Sequence, residues 1–205
     1  MPRADKSGNY HHGDLRQAVI DSALELIAER DIQSLTLREI AKRVGVSQMA
    51  PYRHFKNKAV LLAVLAQEGF QALYDHLQEA STKPSLAPIE RVRVLGVAYV
   101  LFAIENPVHY RVMFDASLSN RTTYPPLYQT AVKVLELCMQ LIVECQQAGL
   151  IDERDPKELA QVKWSTCHGL SMLLIDHQFS TMGHAPVEEL ATSTMQTLIE
   201  GLQKR

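Results

Sequence analysis

The sequence predicts an all-α protein, with an N-terminal three-helix helix-turn-helix domain and a larger C-terminal helical part, about nine helices in total. Three observations predict it. Apolar residues recur at three- and four-residue steps along most of the chain, the period of a helix face. Cap signals punctuate those runs, including a Thr-x-x-Glu box and Asp-Pro and Asn-Pro pairs. Alternating β-branched runs bounded by tight turns, the mark of strands, are absent.

Taken in order, Asp14 is expected to cap a helix from Leu15 to Glu29, with Leu15, Val19, Ala23, Leu26 and Ile27 on one stripe. Thr36 and Glu39 form a capping box, the hydroxyl accepting a first-turn amide and the carboxylate reaching back. A short helix over 37–44 follows, with Leu37, Ile40, Ala41 and Val44 on one side, and Gly45 stops it. Ser47 is placed to cap a helix over 48–54, and Asn57 to cap one over 58–80. "STKPSLAP" at 81–88 reads as a break and a plausible joint. Further helices are expected at 87–105, 107–114, 125–148, 156–179 and 187–204. Asn106-Pro107 and Asp155-Pro156 look like cap-plus-first-position pairs, and Gly149 suits a C-terminal stop.

Composition narrows the function. With 205 residues, 46% hydrophobic and 21% charged, the chain has enough material for a real core. No run approaches the roughly 20 apolar residues of a membrane helix, and the N-terminus lacks a signal-peptide core. Three scattered cysteines fit neither a disulfide framework nor a zinc knuckle, so a reducing cytoplasm is expected. The net charge of −2 divides unevenly, +3 over residues 1–58 and −5 beyond. Between Ile32 and Lys58 six cations face Glu39 alone. Local sign governs what a surface attracts, because salt screens fields beyond about 8–10 Å.

Two short helices joined at glycine, with small Ala41 four residues earlier, make a helix-turn-helix. Its second helix enters the major groove and presents its first residues to base edges. Ser47, Gln48, Met49 and Ala50 hold those positions. Gln48 can pair in bidentate fashion with adenine, and Met49 or Ala50 can meet a thymine methyl. Arg53, His54, Lys56 and Lys58 follow on an aromatic frame of Tyr52 and Phe55, with Phe55 expected in the core and Lys56 as general charge. Arg3 and Lys6 could track the duplex as a basic arm.

"LRQAVIDSALELIAERD…LTLREIAKRVGVSQMAPYRHFKNKAVLLAVL" resembles the DNA-binding domain of the tetracycline-repressor (TetR) family, continuously over about residues 12 to 66. The resemblance implies phosphate contacts from Tyr52, His54 and Lys58, and backbone contacts from the helix start at Thr36 and Arg38. Asp31 departs from the glycine usual there. It also implies a repressor binding double-stranded operator DNA as a homodimer through its last two helices. Boundaries of 12–72 and 73–205 follow for the DNA-binding and effector domains.

"WSTCHGL" at 164–170 resembles a C-terminal branch of the same family with a Trp-x-x-x-His-Gly spacing. A small-molecule effector is implied, and its candidate contacts are Tyr99, Phe102, Tyr110, Met113, Phe114, Cys138, Leu141, Trp164, Cys167, His168 and Met172. Each of these is more readily core than contact. A mostly apolar pocket suggests a lipophilic or amphipathic effector, and the acidic domain gives no reason to expect an anionic one. No cofactor and no metal are expected. The eight histidines include no HExxH, and no nucleophile elbow occurs, so an enzyme is not expected. The rivals are a metal sensor of the same fold, joining Cys138, Cys167 and His168, and a helical scaffold that ignores DNA.

Overall fold

The computed structural model describes residues 12–83, 85–180, 183 and 185–202. Eight α-helices run in order: α1 (His12–Glu29), α2 (Leu37–Val44), α3 (Lys58–Ser81), α4 (Pro88–Glu105), α5 (Pro107–Met113), α6 (Pro125–Gln147), α7 (Pro156–Ile175) and α8 (Val187–Glu200). Three single 3-10 turns, Pro51–Arg53, Ala116–Leu118 and Arg121–Thr123, lie between them, and no strand occurs among the described residues.

Side-chain caps fix the starts of three helices. The Thr36 hydroxyl accepts from the Glu39 amide at 3.2 Å, and the Asn57 and Asp155 side chains accept from the amides of Val60 and Lys157, each at 2.9 Å. Glu39 accepts from the Thr36 hydroxyl and from Arg30, both at 2.9 Å, and these bonds, with one from the Thr36 backbone, hold its carboxyl below the ordinary range. Two expectations need correcting. α1 begins at His12, so Asp14 lies within the helix and not at its cap. Asn106 makes no side-chain cap for α5; its amide nitrogen donates back to the Phe102 carbonyl at 3.0 Å and finishes α4. Gly45 takes φ +78°, a left-handed conformation that L side chains disfavour, while the Val46 amide closes on the Ala41 carbonyl at 3.0 Å. Asp31 holds its own turn, accepting from the Ser34 amide at 2.6 Å.

α1, α2 and the first half of α3 close on Val19, Ile20, Ala23, Leu37, Ile40, Phe55, Leu61 and Leu65, all buried. In the C-terminal part, α4 packs against α3, α6, α7 and α8. Gly96 makes the α4–α8 approach possible, because a Cβ there would sit 2.2 Å from Met195 Sδ. α3 belongs to both halves: Leu61, Leu62 and Leu65 serve the first core, and Phe70, Leu73 and Leu77 the second. α3 and α4, on either side of the stretch expected as a joint, pack on each other.

Candidate nucleic-acid interface and effector cavity

The segment after Gly45 departs from the expected α-helix over 48–54. The Ser47 carbonyl bonds the Ala50 amide at 2.9 Å, Ala50 bonds Arg53 at 3.2 Å, and Pro51 bonds His54 at 3.0 Å. Each bond spans three residues. Pro51 has no amide to give the Ser47 carbonyl, so the four-residue ladder cannot start, and a tighter spiral forms instead.

On that spiral Ser47, Gln48, Met49, Tyr52 and Arg53 are exposed, Met49 at 68% and Tyr52 at 40%. Phe55 is in the core at 1%. Ala50, expected to meet a base, is only 8% exposed and packs inward, because the spiral's shorter turn rotates its methyl off the outer face. His54 is half-buried with its ring 6.4 Å from that of Phe55. Lys58 Nζ donates to the Gln33 carbonyl at 2.8 Å, so the ammonium is positioned by the α1–α2 turn. Thr36 and Arg38 lie exposed at the start of α2.

Not every basic residue in the segment is available. Arg43 donates to Glu29 at 3.0 Å and lies 3.5 Å from Glu25, fastening α2 to α1. Hydrogen bonding to Arg43 holds the Glu29 carboxyl below its ordinary range. Arg3 and Lys6 lie outside the described residues.

The second feature is a cavity of about 310 Å³ between α3, α4, α6 and α7, lined also by residues 119–122. Of the expected effector contacts, Tyr99, Phe114, Cys138, Trp164 and Cys167 line it. Phe102, Met113 and Leu141 are buried core side chains away from its surface, so the structure does not support contact roles for them. Tyr110 stands one layer behind, donating to the Tyr99 hydroxyl at 3.0 Å and lying 2.7 Å from His168 Nδ1. His168 and Met172 face a different depression, beside α5 and residues 27–33. Trp164 Nε1 donates to Tyr99 at 3.1 Å. Burial pushes the Tyr99 hydroxyl well above its ordinary range and His168 below its own.

Cys167 Sγ points at the Gly96 carbonyl and at Met195 Sδ, 3.8 and 3.6 Å away, while His168 turns to Tyr110. Among the described residues no three His, Cys, Asp or Glu side chains are grouped to hold a metal ion.

Residues 19–65 match the family model for bacterial regulatory proteins of the tetR family, and residues 92–198 match the model for a tetracyclin repressor-like C-terminal domain. The chain belongs to the tetR family. The YobS regulator of Bacillus subtilis is 23% identical to this TetR-family chain over 93% of each. The class C tetracycline repressor of Escherichia coli is 52% identical over 25% of this chain and 24% of its own length. The chain thus spans about a quarter of the tetracycline repressors it matches. A Rhodococcus sp. RHA1 protein of unknown function superposes with a TM-score of 0.80, at 28% identity, over 97% of this chain and all of the other. The fatty acid degradation regulator FadR of Bacillus halodurans does so at 0.74 and 19%, over both whole chains. That second likeness concerns the fold.

The cavity of this TetR-family chain also holds two residues that sequence reasoning missed, Arg121 and Lys163. Lys163 left a signal. It falls between Leu159 and Cys167 at four-residue steps, a charged residue on the buried face of α7. Arg121 left little, being one cation in a polar loop. Among the described residues no Asp or Glu lines the cavity, so its charge is opposite to that of the domain around it.

Proposed function

We propose that the chain is a ligand-responsive transcriptional regulator, acting as a repressor. A homodimer occupies a pseudo-palindromic operator and leaves it when a small apolar or amphipathic effector fills the cavity. One observation carries this reading: α3 lines the cavity with Phe70, Leu73 and Leu77 and carries the core of the helix-turn-helix at its other end. A helix is stiff along its axis, so displacement at one end reaches the other. The division near residue 72 falls inside this shared rod. Such a regulator works where the DNA is, in the cytoplasm.

In this reading Gln48 pairs with an adenine edge and Met49 meets a thymine methyl, with Ser47 beside them. Tyr52, Arg53, His54 and Lys58 take phosphates, Lys58 with the donors it does not give Gln33, and Thr36 and Arg38 offer the start of α2 to the backbone. Val162, Thr166, Gly169 and Leu173 form a seam on α7, with Val162 48% and Leu173 43% exposed, which suits pairing with a second copy alongside α8. A two-fold dimer sets its reading segments about 34–36 Å apart, one DNA turn, or further if two dimers share an operator.

Genomic fragments selected on the purified chain test the proposal. We expect an inverted repeat, bound with an affinity that falls by about 10³-fold or more between low and moderate salt. A flat salt profile, or no retained DNA, overturns it.

A further inference from the structure

We infer that the cavity takes an amphipathic organic anion, an apolar body carrying a carboxylate headgroup, with Lys163 and Arg121 as its cationic anchors and Tyr99 as a hydroxyl donor. The inference rests on the cavity being the effector site proposed above, and it names the class of effector.

Lys163 is 4% exposed, lines the cavity, and makes no hydrogen bond or ion pair among the described residues. Its Nζ lies 3.2 Å from where a Cβ on Gly96 would stand, deep between α4 and α7. An ammonium removed from water without a partner is expensive, and an anion beside it offsets that cost.

Arg121 enters from the loop side. Its guanidinium lies over the rings of Phe70 and Phe114, 4.9 and 5.4 Å from their centroids, and one nitrogen donates to the Met113 carbonyl at 3.0 Å. Those contacts orient the group and leave its charge uncompensated, since no ion pair involves it among the described residues. The half-buried arginines Arg91 and Arg93, by contrast, have Glu144 and Glu90.

Tyr99 completes the set. A phenol oxygen has two acceptor positions, and Tyr110 and Trp164 occupy both. The Tyr99 proton is then left to point into the cavity it lines. Two cations and a hydroxyl donor meet walls formed by Leu73, Leu77, Leu95, Val134 and Leu135. An inorganic anion would leave those walls empty, and a neutral lipophile would leave the cations unanswered.

Calorimetric titration of the purified full chain tests this with matched ligands: decanoate, decanol and decylamine, and the corresponding naphthalene carboxylate, carbinol and amine. In at least one series the carboxylate should bind about tenfold or more tighter than the alcohol, with the amine weaker still. Lys163→Met and Arg121→Gln should each shrink the carboxylate-to-alcohol ratio, a readout that general loss of packing does not produce. An alcohol or amine that binds as tightly as its carboxylate, or variants that keep the ratio, overturns the inference. If such a neutral or cationic ligand also releases operator DNA, the cavity remains the effector site and only its charge preference is refuted. If no ligand of either series binds, both readings fall.

Discussion

The Tyr110 hydroxyl lies 2.7 Å from Nδ1 of His168 while donating to Tyr99 at 3.0 Å. The Tyr110 hydroxyl thus sits between the Tyr99 hydroxyl and the His168 imidazole, within hydrogen-bond reach of both. This chain of hydroxyls and imidazole joins the wall of the cavity to the depression beside α5 and the α1–α2 turn.

A pH dependence follows from it. Burial, helped by the nearby Arg121 charge, depresses the His168 pKa below 6.5. Between the folded value and the unfolded one the unfolded chain carries the extra proton, so stability rises with pH across that interval. The contribution is complete above about pH 6.5 and is lost as the medium is acidified towards the folded value. His109 is depressed in the same direction by its own burial. Urea denaturation at about pH 7.5 and about pH 5 should therefore show a smaller acid loss for His168→Gln than for the parent chain, with a remainder from His109. Equal losses in the two proteins would refute it.

Tyr110→Phe keeps the ring, which is fully buried and 5.0 Å from that of Phe114, and removes only the oxygen. His168 Nδ1 and the Tyr99 hydroxyl then each lose a hydrogen-bond partner. We expect a destabilisation of about 1–3 kcal/mol, the cost of leaving a buried polar group unmatched. Tyr128→Phe, at a position 47% exposed, should stay within about 0.5 kcal/mol of the parent. Denaturation midpoints of the two variants check both values.

How far the sequence could be read depended on the range of the interactions involved. The Thr36, Asn57 and Asp155 caps are local chemistry, so helix starts within a residue of expectation follow from short windows. The inward turn of Ala50 also has a local cause, Pro51, but its consequence is geometric: a 3-10 spiral advances by a third of a turn per residue and moves one side chain off the outer face. The cavity lining was harder. Phe102 and Tyr99 share α4 three residues apart, yet only Tyr99 lines the cavity, and that difference is decided by α6 and α7 packing from distant sequence. The charge of the cavity was out of reach for the same reason. The net negative count of the C-terminal part describes its outer surface, while Arg121 and Lys163 are brought together only by folding.

Gly45 is a separate test of backbone strain. Nothing lies within 4 Å of a Cβ built on it, so Gly45→Ala introduces no clash, and any effect comes from φ +78°. A left-handed conformation costs an L residue roughly 1–2 kcal/mol. We expect Gly45→Ala to destabilise the protein by about that amount and Gly45→Asn by less, since asparagine tolerates the conformation better. Equal stability of all three, measured by urea denaturation, would remove the turn from the set of fold determinants.

Operator binding should separate the cations that structure has already engaged from those left for DNA. Arg43 is held by Glu25 and Glu29, so Arg43→Met should weaken the α1–α2 contact and lower stability without changing how steeply affinity falls with salt. Arg53 is exposed on the reading spiral and has no ion pair among the described residues, so Arg53→Gln should reduce the magnitude of the log–log salt slope by about 0.9 per lost phosphate contact. Tyr52→Ala should weaken every DNA sequence by a similar factor. Gln48→Ala should instead relax preference at one base pair, because a bidentate contact carries about 1–3 kcal/mol of discrimination there. Anisotropy titrations over a salt series, on the selected operator and on single-base variants, measure all four effects. An Arg43→Met slope change as large as that of Arg53→Gln would mean that the ion pairs open on DNA. An unaltered base preference in Gln48→Ala would move the reading role to Met49 or Ser47.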